Sequence, residues 1–151
     1  MKGQKILHEA SAGGIVYKKD KTSGSKMKDI FLWLVIRHHK QGHYGFPKGH
    51  IGDIIPTESM REAATREVLE EGGIKTKIVS DKPVQTTYFF QRDGNLHQKT
   101  VNYFLMEYIS GNTEDHDHEV AEAKFVDEKE LMNTLTYNTD KVAFNKLRSL
   151  I

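Results

Sequence analysis

Apolar runs along the chain predict two early strands. SAGGIVY (11 to 17) and IFLWLVIR (30 to 37) have the length and composition of strands, and the paired glycines of the first run indicate a bulge or a close backbone approach. The polar segment between the two runs (18 to 29) predicts a flexible hairpin loop. The first part of the chain is therefore a predicted hairpin.

Capping residues predict a helix near residues 60 to 71. Ser59 and Glu62 have the spacing of a capping box, and Gly72-Gly73 supplies a left-handed stop. Segments with strand composition follow, and an Asp93-Gly94 turn joins two of them into a predicted hairpin; these segments are 74 to 80, 83 to 91, 99 to 109 and 119 to 126.

Two helical signals and one irregular stretch complete the pattern. Asp127 with Glu130 is a second capping-box candidate that opens a short helix, and residues 140 to 151 have the periodicity of a closing helix. Residues 38 to 56 show no regular period, and irregular stretches of this length are usually functional or disordered. This stretch is therefore a candidate for function.

Size and charge narrow the classes of function. A chain of 151 residues predicts a single domain over 1–151. The formal charge of +1 gives no whole-molecule field for nucleic acid or an anionic membrane, so any phosphate binding must be local. The absence of cysteine excludes disulfides and thiolate metal sites. The first ten residues lack the apolar core of a signal peptide, and the longest apolar run (30 to 36) is too short to span a membrane, so we expect a cytoplasmic protein with no membrane partner.

Three glutamates lie close together at the end of the predicted helix. Glu67, Glu70 and Glu71 occupy about a 100° arc of one helix face. Two unit charges about 5 Å apart repel by roughly 3 kcal/mol at an effective dielectric constant of about 20. A solvated, charge-rich helix face is the ordinary explanation of such a hexamer. The alternative is a cation that offsets the repulsion.

Two observations favour the cation. Glu67 and Glu71 continue the stripe of small apolar residues that should face the core, namely Met60, Ala63 and Ala64. Arg66 has the helical spacing to pair with Glu62 and Glu70, whereas nothing on the helix neutralises Glu67 and Glu71. Oxygen ligands of this kind favour a hard divalent ion such as Mg²⁺, which keeps substrate phosphates in its shell.

The irregular stretch contains groups that suit such an ion and its substrate. YGFPKGH (44 to 50) supplies a rigid turn, a close-approach glycine whose carbonyl can bind metal, and Lys48 as a charge for phosphate. Histidine groups at 38 to 43 and 116 to 118 raise zinc as a further hypothesis, but they lack helical two-turn spacing and partner cysteines. His43 or His116 beside bound phosphates is the alternative.

Three parts of the chain have a characteristic spacing: Gly52 is followed after five residues by Glu58, and Glu58 after seven residues by REVLEEGGI (66 to 74). Together they resemble the full signature of the Nudix hydrolases. The resemblance implies an α/β/α sandwich with a central mixed sheet, a divalent ion (Mg²⁺, with Mn²⁺ as a substitute) and hydrolysis of a nucleoside diphosphate linked to another group. It also implies site roles: metal binding by Glu67, Glu70 and Glu71, orientation of a glutamate by Arg66, and support of the loop by Glu58.

One departure from the family pattern concerns the backbone ligand. In many relatives the glycine of the Pro-Lys-Gly turn is the first glycine of the signature, whereas here Gly49 precedes Gly52, which satisfies the spacing. Either the loop carries an insertion and Gly49 is the ligand, or Gly52 replaces it. We favour Gly49 because its turn keeps the proline and the lysine.

Outside the signature, the chain is most similar to the asymmetric diadenosine tetraphosphate hydrolases. SAGGIVY, FPKGH, KTVNYFLMEY and EVAEAKFVDEKEL carry this resemblance. It implies that Glu119 helps to bind metal or to position water, and that Tyr137 stacks on a base with Tyr88 as a second wall. Tyr44 and His43 are further candidates for substrate binding. Ordinary half-buried packing is the alternative for Tyr88 and Tyr137.

The resulting expectation is a metal-dependent hydrolase that attacks diadenosine tetraphosphate with water and yields ATP and AMP, with Glu70, Glu71 or Glu119 as the base. A small-molecule nucleotide is the expected partner, and the chain is expected to be a monomer or homodimer. The alternatives are hydrolysis of modified nucleoside triphosphates or RNA 5′ ends, and a Nudix-fold module that binds nucleotide without catalysis. The neutral net charge disfavours RNA.

Overall fold

The computed structural model describes residues 5–21, 28–40, 42–52 and 55–151. Eight strands and three helices occur in this part of the chain, in the order β1 (Ile6–Lys21), β2 (Asp29–His38), β3 (Tyr44–Gly45), β4 (Lys48–His50), α1 (Met60–Gly72), β5 (Ile74–Ile78), β6 (Val84–Arg92), β7 (Asn95–Gly111), β8 (Val120–Val126), α2 (Glu128–Thr134) and α3 (Asn138–Arg148). A turn of 3₁₀-helix, Thr113–Asp115, precedes β8.

All eight strands form one mixed sheet. Its central path runs β3-β2-β1-β7-β5, while β4 pairs with β1, β6 with β7 and β8 with β2. The β1–β7 pair is parallel and the others are antiparallel. Helix α1 packs on one face through Ala63, Ala64 and Val68, and helices α2 and α3 pack on the other through Leu131 and Phe144. The expected mixed-sheet sandwich with helices on both faces is therefore confirmed.

The predicted elements are present, with different ends in several cases. Strand β1 is longer than the apolar run because its polar ends still pair with β7 and β2. The closing helix begins at Asn138, two residues before the predicted start at 140. The stretch 38 to 56 is not wholly irregular, since it contains the two short strands β3 and β4. Residues 22 to 27 of the predicted loop, and residues 41, 53 and 54, lie outside the described residues.

The paired glycines of β1 mark a close approach and not a bulge. The β1–β7 register is continuous through Gly13 and Gly14. A Cβ at Gly13 would collide with the carbonyl oxygen of Pro47, and one at Gly14 would lie 2.8 Å from Val68 of α1. The two glycines therefore let the backbone of Pro47 and helix α1 pack directly on the sheet.

Helix α1 begins and ends as predicted. The Ser59 side chain accepts a hydrogen bond from the Glu62 backbone N–H (3.1 Å), and Glu62 accepts one from the Ser59 N–H (3.1 Å), which completes the capping box. Gly73 adopts φ 75°, and its N–H donates to the Leu69 carbonyl (3.0 Å). These local signals place the three glutamates in the last two turns of α1.

Within the described ranges, no helix combines the length and the apolar character needed to cross a membrane.

Candidate active site

Strand β4 brings the loop backbone against the glutamate side of α1. The Lys48 N–H donates to Oε1 of Glu71 at 2.9 Å. A Cβ at Gly49 would collide with the carboxylate of Glu67, so only glycine lets the backbone approach this side chain. The main chain at residues 48 and 49 and the carboxylates of Glu67 and Glu71 therefore form one continuous site.

Arg66 joins the carboxylates of the signature. Its Nε and Nη2 donate to the two oxygens of Glu58 at 3.0 and 2.7 Å, a bidentate pair. Its Nη1 donates to Glu67 (2.9 Å) and to both oxygens of Glu70 (3.2 Å). Glu58 also accepts a hydrogen bond from the Gly52 N–H (3.0 Å), which links the loop to the helix. The arginine thus connects the loop to two of the three glutamates.

The expected partners of Arg66 are partly different from those observed. The Arg66–Glu70 pair forms, but the Arg66–Glu62 pair does not, because the Glu62 carboxylate is bonded to the Ser59 N–H in the capping box. Arg66 pairs with Glu67 instead of Glu62, although helical spacing predicted no partner for Glu67. The inference that nothing on the helix neutralises Glu67 is therefore wrong, because its side chain turns toward the guanidinium of the preceding residue.

Burial strongly disfavours the charged form of Glu71. Burial raises its pKa to about 8, and the charges of Glu67, Asp117 and Glu119 add to the effect. Burial also raises the pKa of Glu67, although Arg66 opposes this shift. In the described residues no three acidic or histidine side chains converge on one point: Arg66 holds Glu67 and Glu70, while the Lys48 N–H holds Glu71. The donor set, carboxylates beside the Gly49 backbone, fits a hard divalent cation.

The loop before β8 lies against the same end of α1. The Asp117 N–H donates to the Glu70 carbonyl (2.8 Å), and the Asp117 carboxylate accepts from the Glu119 N–H (3.1 Å). His38 Nδ1 lies 3.9 Å from Oε2 of Glu71. The structure thus brings the exposed Glu119 near Glu71, and it adds Asp117 and His38 to the residues that sequence analysis selected. In the sequence, His38 and Asp117 were indicated only by their position in the histidine-rich segments 38 to 43 and 116 to 118.

Two lysines and an aromatic ring lie close together near the glutamates, on the α3 side of the sheet. The Nζ of Lys48 lies 5.9 Å from the centre of the half-buried Tyr88 ring. Lys99 is the cross-strand partner of Tyr88, and burial followed by the charge of Lys48 lowers its pKa. Lys99 was not among the predicted site residues. The alternation of side chains along the strand could have identified this residue, since Lys99 lies on the same face of β7 as the buried Val101 and Tyr103.

The remaining predicted binding residues divide into two groups. Tyr137 is 45% exposed and caps α3, with its hydroxyl 2.7 Å from Nδ1 of His43 and the two rings edge to face. Tyr44 instead bonds to Glu122 (3.1 Å), and its ring lies near Arg37 and Lys124. Among the described residues no hydrogen bond or ring contact joins Tyr44 to Lys48 or Lys99. The structure therefore brings Tyr137 and His43 together and places Tyr44 in a separate polar cluster.

The chain is similar to proteins of one family. A family model described as "NUDIX domain" matches residues 7–147. The "Putative mutator protein MutT4" of Mycobacterium tuberculosis (strain CDC 1551 / Oshkosh) is 34% identical over 139 residues, which are 91% of this chain and 53% of that protein. The chain thus spans about half the length of this curated relative.

Two solved structures have a similar fold. An Ap4A hydrolase of C. elegans, in a binary complex, has a TM-score of 0.71 and 23% identity, with 94% of this chain and 96% of that chain covered. The NUDIX domain of Shewanella oneidensis NrtR, complexed with ADP ribose, has a TM-score of 0.64 and 13% identity, with 100% and 91% covered. Together with the signature residues assembled on α1, the domain match shows that the chain belongs to the Nudix family, a family of hydrolases that generally use divalent metal ions.

Proposed function

We propose that this chain hydrolyses a phosphoanhydride bond of a nucleoside polyphosphate, with diadenosine tetraphosphate as the substrate and ATP and AMP as the products. The observation that carries the proposal is that two buried carboxylates and two lysines lie next to each other. The carboxylates of Glu67 and Glu71 face the backbone of residues 48 and 49, while the charge of Lys48 acts on the half-buried Lys99 nearby. Carboxylates suit a metal ion and lysines suit phosphates, so one polyphosphate can contact both.

In this proposal Glu67, Glu70, Glu71, Glu119 and the Gly49 carbonyl hold Mg²⁺, or Mn²⁺ in its place. When bound, the ion supplies charge for the phosphate oxygens and lowers the pKa of water. Arg66 orients Glu67 and Glu70 through the bonds described above, and the Lys48 N–H holds Glu71.

Water attacks the phosphorus next to one adenosine in line, and the bond from this phosphorus to the bridging oxygen breaks, so that ATP leaves and AMP is formed. Glu70, Glu71 or Glu119 accepts the proton of the water. Lys48 and Lys99 offset the negative charge on the phosphate oxygens. Glu70 has a 35% exposed side chain and Glu119 is exposed, so both are accessible to solvent water, whereas Glu71 is buried. These exposures do not select one base, so Glu70, Glu71 and Glu119 are to be distinguished by mutagenesis.

The choice of a dinucleoside substrate rests on the aromatic residues beside the lysines. The Nζ of Lys48 lies 5.9 Å from the centre of the Tyr88 ring, and the exposed Tyr137, which precedes α3, offers a second aromatic ring for stacking with a base. His43 supports the Tyr137 hydroxyl. The segments that resemble the asymmetric diadenosine tetraphosphate hydrolases add to this argument.

A specific observation favours a second candidate. The 34% identity to the "Putative mutator protein MutT4" of M. tuberculosis favours a substrate other than diadenosine tetraphosphate, and nucleoside triphosphates, including modified ones, are the second candidate. RNA 5′ ends and a non-catalytic nucleotide-binding role remain further alternatives. A single domain over residues 1–151, a monomer or homodimer, and a cytoplasmic location remain predictions of the sequence.

Incubation of the purified protein with Mg²⁺ tests the proposal. The panel contains diadenosine polyphosphates, nucleoside triphosphates and triphosphorylated RNA, with products resolved by anion exchange. We expect the fastest turnover with diadenosine tetraphosphate, and equal amounts of ATP and AMP. Faster release of pyrophosphate from a triphosphate would support the second candidate instead. Tight nucleotide binding without hydrolysis of any member would overturn the catalytic role.

A further inference from the structure

Glu9 is an acidic side chain among basic groups on the α3 side of the sheet. Its Oε2 lies 3.7 Å from Nδ1 of His97, and its Oε1 lies 3.8 Å from Nη1 of Arg92. The Glu9 side chain is 21% exposed and the His97 side chain 10%. Neither the metal site nor the phosphate contacts proposed above use Glu9.

The sheet places Glu9 beside Lys99. In the parallel β1–β7 pair these two residues are directly opposite each other. His97 and Lys99 are two positions apart on β7, so their side chains leave the same face of the sheet. Since the Glu9 carboxylate lies near His97, it occupies the face that carries Lys99. Neighbouring strands are only about 4.8 Å apart, so the two charges interact directly.

The Glu9 carboxylate is not explained by hydrogen bonding. Within the described part of the chain, Oε2 of Glu9 and Nδ1 of His97 are buried and have no hydrogen-bond partner. A buried carboxylate oxygen in this state is unfavourable unless nearby positive charge compensates it. Joining β1 to β7 does not require a carboxylate, because the backbone pairing already joins them. The positive charge around Glu9 therefore accounts for the acid at this position.

Lys99 is a lysine whose charge the surrounding structure opposes. It is half-buried, and it has no ion pair among residues 5–21, 28–40, 42–52 and 55–151. Burial lowers its pKa, the charge of Lys48 lowers it further, and the charge of Glu9 raises it. A lysine binds phosphate as a cation, so Lys99 depends on a negative charge beside it.

We propose that Glu9 is a positioning residue for phosphate binding, which keeps the ammonium group of Lys99 charged for contact with the substrate. His97 and Arg92 hold the Glu9 carboxylate on this face. The inference rests on the proposed function, in which Lys99 binds phosphate. The other charged or titratable groups around Lys99 are Lys48 of β4, Tyr88 and Arg92 of β6, His97 of β7 and Glu71 of α1.

NMR titration of the lysine side chains tests the inference without substrate. Glu9→Gln removes the charge and keeps the size of the side chain, and Lys99→Arg assigns the signal of Lys99. From about pH 7 to about pH 11, the titration midpoint of Lys99 should be lower by at least about 0.5 pH unit in Glu9→Gln. Glu107→Gln is the matched control, because Glu107 lies on the same face of β7, eight residues further along. It should keep the wild-type midpoint.

The pH dependence of KM for diadenosine tetraphosphate gives the second readout. In the wild type KM should rise at high pH as Lys99 loses its proton. In Glu9→Gln this rise should move to lower pH by the same amount as the NMR midpoint, while kcat changes less than about twofold. The difference between the two profiles should disappear when both proteins carry Lys99→Arg, because arginine keeps its charge.

The possible outcomes separate the inference from the proposed function. An unmoved midpoint in folded Glu9→Gln, or an equal shift in Glu107→Gln, would overturn the inference. If Glu9→Gln does not fold, Glu9→Asp replaces it: withdrawing the carboxylate by one methylene should still lower the midpoint, and an unmoved midpoint there would also overturn the inference. A lowered midpoint with an unmoved KM profile would reject Lys99 as a phosphate ligand, and the role of Glu9 with it.

A protein that hydrolyses no substrate still allows the test. The dissociation constant of ATP, measured by calorimetry without Mg²⁺, then replaces KM. A profile that moves to lower pH in Glu9→Gln would support the inference while the proposed catalysis fails, and a profile that does not move would overturn it.

Discussion

Arg66 and Glu58 form a bidentate ion pair across the loop that precedes α1, with Nε–Oε2 and Nη2–Oε1 distances of 3.0 and 2.7 Å. The pair is largely buried, since 14% of the Arg66 side chain and 1% of the Glu58 side chain are exposed. The same guanidinium contacts Glu67 and Glu70, so the pair determines where these two side chains point.

A double-mutant cycle should detect this pair. We expect Glu58→Gln and Arg66→Lys to have a coupling energy of about 1–3 kcal/mol in urea unfolding, because either change removes the bidentate geometry. Activity should fall in both single variants, since Glu67 and Glu70 lose their orientation. Additive effects on stability would show that the contact contributes little. Lys146→Ala, at an exposed lysine of α3, is the control for general effects of charge.

Glu71→Gln should separate activity from stability. Glutamine still accepts the hydrogen bond from the Lys48 N–H but cannot bind a metal ion as a carboxylate does. Burial holds the pKa of Glu71 at about 8, so a neutral side chain at this position should leave the melting temperature unchanged or raise it. We expect turnover to fall by at least about 100-fold. A variant that melts like the wild type and turns over at the wild-type rate would contradict the site assignment; Glu128→Gln is the exposed control.

Lys99→Met should weaken substrate binding while stabilising the fold or leaving it unchanged. Lys99 is half-buried, and burial and Lys48 both lower its pKa, so removing its charge relieves an unfavourable contact. Loss of a charged contact to phosphate should raise KM by about 10–100-fold, according to a contact energy of about 1.5–3 kcal/mol. Steady-state kinetics and thermal melting give the two quantities. An unchanged KM would remove Lys99 from the phosphate site.

Asp117→Ala should lower kcat more than it raises KM. The Asp117 carboxylate accepts a hydrogen bond from the Glu119 N–H, so its loss frees the segment that carries Glu119, while the lysines proposed to hold phosphate are unchanged. Asp117→Asn keeps an acceptor oxygen and should restore most of the lost rate. Asp115→Ala, two residues earlier and exposed, is the control. Equal losses in the alanine and asparagine variants would assign the effect to the charge of Asp117 and not to its hydrogen bond.

Asp140→Asn should change the pH dependence of stability. The native state raises the pKa of Asp140 above its ordinary 3.8, so the native state binds this proton more tightly than the unfolded chain does. The contribution of Asp140 to stability is therefore greatest below the unfolded pKa and falls as the pH rises toward the folded pKa. Asparagine does not titrate. The variant should gain free energy of unfolding relative to wild type between pH 4 and pH 7, as measured by urea titration; a constant difference would contradict the effect of burial.

The alternation of side chains along β7 could have identified Lys99 from the sequence. Lys99 lies on the inward face of β7, two residues before the buried Val101, so the face on which it lies was predictable from alternation alone. Its proximity to Lys48 was not predictable in this way. Lys48 belongs to β4, which pairs with β1, and the parallel pairing of β1 with β7 brings the two lysines to the same face of the sheet.

The sequence by itself determined the elements whose signals are local. The capping box, the glycine stop and the glutamate spacing of α1 depend on residues at most a few positions apart, and the structure has all three. The strand segments and the Asp93-Gly94 turn were predictable for the same reason. The Nudix signature was likewise complete in one continuous stretch of sequence.

Tertiary structure alone decided which groups share the site. Arg66 bonds to Glu58 and Glu67 and not to Glu62, because the fold of the loop and the capping bond of Glu62 compete with helical spacing. Tyr103 and Asp140 meet because α3 packs on the face of the sheet to which β7 contributes Tyr103. These contacts join residues far apart in the chain, and their geometry follows from sheet register and layer packing, which no local pattern of residues encodes.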